Sequence, residues 1–130
     1  MQILACTAKI HRATVTEADL NYVGSITIDE ALLEASGIRP FQMVQITNVA
    51  NGTRWRTYAI AGKRGSGDMC LNGPPARHFQ KGDVIIVLAE ALVDPSEFAA
   101  MSPVVVFVDE HNHVTTVQRH RAIPIRATRA

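Results

Sequence analysis

Gly24 and Ser25 stand side by side in Tyr22-Val23-Gly24-Ser25-Ile26-Thr27-Ile28-Asp29, at the head of what reads as a short strand. In such a dipeptide the serine hydroxyl lies one residue from the preceding amide carbonyl. If the Ser25 oxygen attacks the Gly24 carbonyl carbon, the amide becomes an ester and the chain can break there. Glycine tolerates backbone angles that other residues avoid, so the Gly24 carbonyl can be held in a strained, exposed geometry. The same dipeptide is also an ordinary turn, because glycine and serine are both common turn residues. Nothing local separates the two readings.

A second set of polar residues bears on the choice. Lys9, His11, Tyr22, Arg54, Thr57, Tyr58 and Asn72 fall on strands or loops that read as largely apolar. Burying a lysine or arginine is costly unless it meets an anion, so together they suggest an anionic ligand. The plainer alternative is that each points outward or pairs with one of the 12 acidic residues. Other motifs carry less. Glu110-His111-Asn112-His113 has two histidines two apart but no further ligand at helpful spacing, so it reads as a polar surface turn and no metal is expected. Lys63-Arg64-Gly65-Ser66-Gly67 lacks the G-x-x-x-x-G-K-[ST] pattern of a phosphate loop, and no helix follows it. Arg119, His120, Arg121, Arg126 and Arg129 form a basic tail, read as solvated or docked on a neighbouring subunit.

The elements that must position these groups are mostly short strands. Residues 3–15 mix apolar and β-branched residues without helical spacing, and Lys9 and His11 fall on one face of that strand. Residues 16–20 have an N-cap type followed by acids, which predicts a short helical turn. A strand over 25–28 leads into a helix over 29–37 that Asp29 can cap and Gly37 can stop. The alternating strand 43–49 closes at Asn51-Gly52, a strong hairpin signal, and its partner runs over 54–61. There Arg54, Arg56 and Tyr58 share the face opposite Trp55 and Thr57. A glycine-rich loop over 63–67, a strand over 69–71 and a tight Asn72-Gly73-Pro74-Pro75 turn follow. Residues 84–91 form an apolar run expected to be buried on both faces. A short helix begins at Asp94-Pro95, and 104–108 is the last strong strand.

Composition agrees with one β-rich domain over residues 1–130: 47% of residues are hydrophobic and only 5% aromatic, so the core is aliphatic. A net charge of +1 gives no general reason to expect nucleic acid or an anionic membrane as partner. Cys6 and Cys70 are too few for a disulfide framework and are expected as reduced thiols. No leader segment or run of the roughly 18 apolar residues needed to cross a bilayer is visible, so a cytoplasmic location is expected. Seven or so short strands with two or three small helices predict a mainly β fold closing into a small barrel.

Taken together, Lys9-Ile10-His11-Arg12, Tyr22-x-Gly24-Ser25, Asn51-Gly52-x-Arg54-x-x-Thr57-Tyr58, Arg64-Gly65-Ser66 and Leu71-Asn72-Gly73 resemble the aspartate 1-decarboxylase family, in order along nearly the whole chain. The resemblance implies a double-psi β-barrel assembled as a homotetramer with sites between subunits. It implies autocatalytic cleavage into residues 1–24 and 25–130, with Ser25 converted to a covalent pyruvoyl cofactor. That carbonyl would condense with the amine of L-aspartate as a Schiff base, and loss of carbon dioxide would give β-alanine for pantothenate and coenzyme A synthesis. Tyr58 would reprotonate the carbon, and Arg54 and Lys9 would hold the carboxylates. Thr57 would contact substrate and assist at the Gly24 carbonyl; His11, Tyr22 and Asn72 would line the site.

Gly73, Pro74 and Pro75 match the family's substrate-binding turn, but the family often has alanines where this chain has two prolines. Proline has no N–H to donate, so strict aspartate specificity is in question and a decarboxylase of a different amino acid stays open. A non-enzymatic small β-barrel binding protein is the reading from another class, since fold alone does not decide function.

Overall fold

The computed structural model describes residues 1–22 and 24–121 of the chain. Nine strands carry it: β1 (Ile3–Thr14), β2 (Glu17–Asp19), β3 (Ser25–Asp29), β4 (Met43–Asn48), β5 (Arg54–Gly62), β6 (Met69–Asn72), β7 (Val84–Val93), β8 (Val104–Val108) and β9 (Val114–Arg119). Helices α1 (Glu30–Ser36) and α2 (Pro95–Ala100) and a 3-10 turn over Pro74–Arg77 complete it. The mainly β expectation holds.

The strands form one mixed sheet in the order β2-β6-β3-β5-β4-β7-β1-β8-β9. Strands β1 and β2 are joined by two residues yet stand six places apart in that order. Six flat strand spacings would be about 29 Å, whereas so short a link reaches only about 10 Å. The sheet therefore curls on itself, as a small barrel does. Thr16 N–H donates to the Met69 carbonyl at 2.9 Å, and Val15 N–H to that of Asp83 at 2.8 Å, where the curl closes.

Ile10, Ile26, Ile28, Ile46, Leu71, Ile85, Val87 and Val106 point inward and are fully covered, as is Phe79. Each such side chain stabilises the fold by about 1.5–3 kcal/mol relative to exposure. Helix α1 covers one end with Leu32 and Leu33. Asp29 caps it by accepting from Ala31 N–H, and Gly37 ends it at φ 78° with its N–H on the Leu33 carbonyl.

Three expectations need correction. The acidic 16–20 stretch is not a helical turn: β2 pairs in parallel with β6, because that edge offers ladder partners a lone turn lacks. Strand β7 is buried on one face only. It is flanked by β1 and β4, yet Ile85, Val87 and Ala89 face the core while Val84, Ile86 and Leu88 are half-buried on the outside. The strand over 104–108 is followed by another, β9, which pairs with β8 and whose residues are all exposed, so it leaves no hydrophobic pattern to read. Arg126 and Arg129 of the basic tail, and Val23, lie outside the described residues.

Candidate active site

Strand β3 begins at Ser25, and the antiparallel ladder sets Ser25 opposite Asn72 of β6. Both are buried, at 2% and 5% exposure. The Asn72 Nδ2 group donates to Ser25 Oγ at 3.3 Å and to Thr27 Oγ1 at 3.0 Å, so one carboxamide spans two hydroxyls on the same strand face. Chain alternation puts Ile26 and Leu71 on the opposite, core face.

The backbone turns sharply after Asn72. Gly73 has φ 78°, and its N–H donates to the Asp19 carbonyl at 2.7 Å. A Cβ on Gly73 would sit 2.8 Å from Gly24 Cα and 3.1 Å from both Gly24 N and the Tyr22 carbonyl oxygen. Only glycine lets the turn lie this close across the 24–25 segment. The positive φ falls on Gly73 and not on Gly24, where a Cβ would meet Pro74 Cδ at an ordinary 3.7 Å, so the strained geometry expected at Gly24 is not seen in its φ. Pro74 and Pro75 open the 3-10 turn, with Pro75 buried.

Strand β5 flanks the other side. It runs parallel to β3 with Ile26 beside Ala59, so Thr57 and Tyr58 lie next to the start of β3. Thr57 is buried and Tyr58 half-buried, on opposite faces. Phe41, which holds φ 69°, stacks on Tyr58 with ring centroids 5.6 Å apart and planes 15° apart. Phe41 and Thr27 were not among the expected site residues. Thr27 had a usable signal, being two residues from Ser25 on a strand; Phe41 had none.

Sheet register sets Lys9 and Arg54 apart from Ser25 within one chain. Lys9 lies in a lateral row with Leu88, Gln45 and Arg56, three strand spacings or about 14 Å across the outer surface. Arg54 is four residues before Tyr58, about 13 Å along β5. Arg54 and Tyr22 are exposed and Lys9 is half-buried, so in the single chain these residues follow the plainer, outward-pointing alternative. Among the described residues no carboxylate lies within salt-bridge reach of Lys9 or Arg54, whereas Arg56 meets Glu90 at 3.1 Å. His11 packs edge-on against Phe107 at 5.5 Å, and its covered Nδ1 has no hydrogen-bond partner among the described residues. Burial, with Lys9 and Arg12 adding to it, pushes its pKa down and favours the neutral ring.

Two other chemistries can be weighed. Cys70 shares β6 with Asn72, but burial pushes its thiol upward, away from the thiolate a nucleophile needs. Among the described residues no three His, Cys, Asp or Glu side chains converge to hold a metal. No helix among them is long and apolar enough to cross a membrane.

A family model described as aspartate decarboxylase matches residues 1–115. The chain is 57% identical over 110 residues to the aspartate 1-decarboxylase of Carboxydothermus hydrogenoformans, covering 85% of this chain and 87% of that one. It is 56% identical over 109 residues to the enzyme of the same name from Neisseria meningitidis serogroup C, covering 84% and 86%. With that from Caldicellulosiruptor saccharolyticus the figures are 54% over 114 residues, 88% and 89%.

Proposed function

Because the chain belongs to the aspartate decarboxylase family, we propose that it removes the α-carboxylate of L-aspartate to give β-alanine and carbon dioxide, using a pyruvoyl group made from its own Ser25. The β-alanine serves pantothenate and coenzyme A synthesis. The observation that carries this reading is the enclosure of Gly24–Ser25 between the Asn72 amide and the Gly73 turn.

Formation of the group needs only the chain and water. Ser25 Oγ adds to the Gly24 carbonyl carbon, and the C–N bond breaks as the nitrogen gains a proton, leaving an ester. Loss of the Ser25 α-proton then breaks the Cβ–Oγ bond, so Oγ departs with Gly24 as a carboxylate. The dehydroalanine left behind exchanges its nitrogen for the oxygen of water and releases ammonia. The chain ends as one domain in two pieces, residues 1–24 and 25–130.

The residues present suit such a group. Asn72 offers a buried N–H donor at position 25, and Gly73 leaves room that any Cβ would fill. A pyruvoyl group supplies an electrophilic carbonyl that binds the substrate amine and accepts the electron pair left by carbon dioxide. Arg54 and Lys9, two cations with no carboxylate partner among the described residues, hold the substrate carboxylates, Arg54 in a bidentate contact. Tyr58 delivers the proton to carbon, with its ring steadied by Phe41. Thr57 assists at the Gly24 carbonyl and then contacts substrate; a neutral His11, Tyr22 and Asn72 line the site.

The separation of Lys9 and Arg54 from Ser25 supports a homotetramer in which neighbouring subunits complete each site. A reducing, cytoplasmic setting suits the two free thiols, Cys6 and Cys70.

Intact-mass measurement should find two fragments divided between Gly24 and Ser25, the larger one reactive toward hydrazines. Ser25→Ala should remain one chain and release no carbon dioxide; retained release would sink the mechanism. The proline pair favours a second reading, a decarboxylase of a different amino acid, because neither residue 74 nor 75 can donate an N–H to the substrate. Carbon dioxide release from aspartate, glutamate and neutral amino acids decides between them.

A further inference from the structure

Asn72 is buried, and a carboxamide in that position turns unless partners hold it. Its Nδ2 hydrogens go to Ser25 Oγ at 3.3 Å and to Thr27 Oγ1 at 3.0 Å, and the shorter bond is to the residue to which no role has been given. In the conversion of Ser25 set out above, Oγ leaves with Gly24. One of the two original acceptors is consumed, whereas Thr27 Oγ1 remains to keep the amide in place.

We propose that Thr27 is a positioning residue that acts through Asn72, holding its N–H on the position-25 oxygen during cleavage. Thr27 is suited to the role because its χ1 is stiff and its methyl has a seat. Gly62 provides that seat: a Cβ there would come within 3.1 Å of Thr27 Cγ2. With the methyl seated at Gly62, the hydroxyl is directed at Asn72. The N–H it steadies occupies one lone pair of Ser25 Oγ, leaving the other to attack Gly24. The same N–H stabilises the negative charge that Oγ gains as the Cβ–Oγ bond breaks. This role rests on the conversion of Ser25, and the test separates the two.

Freshly purified full-length chains would be followed by intact mass. Thr27→Val, which swaps the hydroxyl for a methyl, should slow fragment appearance about tenfold, an order less than deleting a donor that touches the reacting oxygen. Thr27→Ser keeps the hydroxyl and should stay within about threefold of wild type. Thr27→Ala repeats the deletion without crowding Gly62. A second readout needs no activity. In the uncleavable Ser25→Ala chain, the Asn72 side-chain NH2 pair in a nitrogen–proton NMR spectrum should stay dispersed with Thr27 or serine. It should collapse toward free-amide shifts with valine or alanine at position 27. Wild-type cleavage rates in both deletions, or an unmoved Asn72 pair, would overturn the role of Thr27 while leaving the conversion of Ser25 intact. A wild-type chain that never cleaves would overturn both.

Discussion

At the C-terminal end of β3 the Asp29 carboxylate accepts three backbone N–H bonds, from Ala31 at 2.8 Å and from Gly65 and Gly67 at 2.9 Å. At the N-terminal end, about 13 Å away, the Ser25 hydroxyl receives a single side-chain N–H at 3.3 Å. Both residues are about as deeply buried, at 1% and 2% exposure. Burial alone raises the Asp29 pKa, but the three N–H donors outweigh it and hold the carboxyl below the usual carboxylate range. A further clasp reinforces that end: Asn112, at φ 63°, accepts from Thr14 N–H and donates to the Thr14 and Gly67 carbonyls. One end of the strand is saturated with partners and serves stability. The other is sparsely held, which suits the proposed departure of the Ser25 oxygen.

If the two ends are separable in this way, substitutions should split stability from self-cleavage. Asp29→Ala strands three donors and should cost the largest amount, about 3–5 kcal/mol in urea unfolding, while cleavage still goes to completion. Loss of cleavage in the still-folded variant would dissolve the distinction. Asn112→Ala removes three hydrogen bonds and a residue tolerant of positive φ, for about 2–3 kcal/mol with fragment yield unchanged. Gly73→Ala, at the other end, should reverse the pattern: about 1–2 kcal/mol in stability, but cleavage slowed by more than about tenfold as the turn is pushed off Gly24. The smallest effect is on pH. The folded-state pKa of Asp29 is depressed, so its stabilisation is fully present above pH about 4 and is lost as pH falls through the folded value. Wild type should therefore lose stability in acid more steeply than Asp29→Asn, measured as unfolding midpoint against pH.

Much of the architecture was legible because one-sided burial writes itself into sequence. Alternation marked β4 and β5, Asn51-Gly52 marked their turn, and Asp29 and Gly37 marked the ends of α1. Strand β9 escaped because it buries no side chain, and β2 because its acids read as a helix start until β6 supplied ladder partners. Chemical types at the site were legible too, since Gly24-Ser25, Thr57-Tyr58 and Asn72-Gly73 stand in a recognisable order. Their contacts were not. That Gly73 turns with a positive φ against Gly24 follows from where β6 ends, and that Thr27 shares Asn72 with Ser25 follows from register.

By itself, the sequence determined the alternation of β4 and β5, the Asn51-Gly52 turn between them, and that a serine follows a glycine with suitable partners elsewhere. Those are properties of nearest neighbours and of period-two alternation, and they survive without knowledge of the fold. The tertiary structure decided which of the polar residues meet. It brought Asn72 and Gly73 onto Gly24–Ser25, and it kept Lys9 several strands across the sheet and Arg54 further along β5. Contacts between residues 47 positions apart depend on sheet order and curl, which no local pattern encodes.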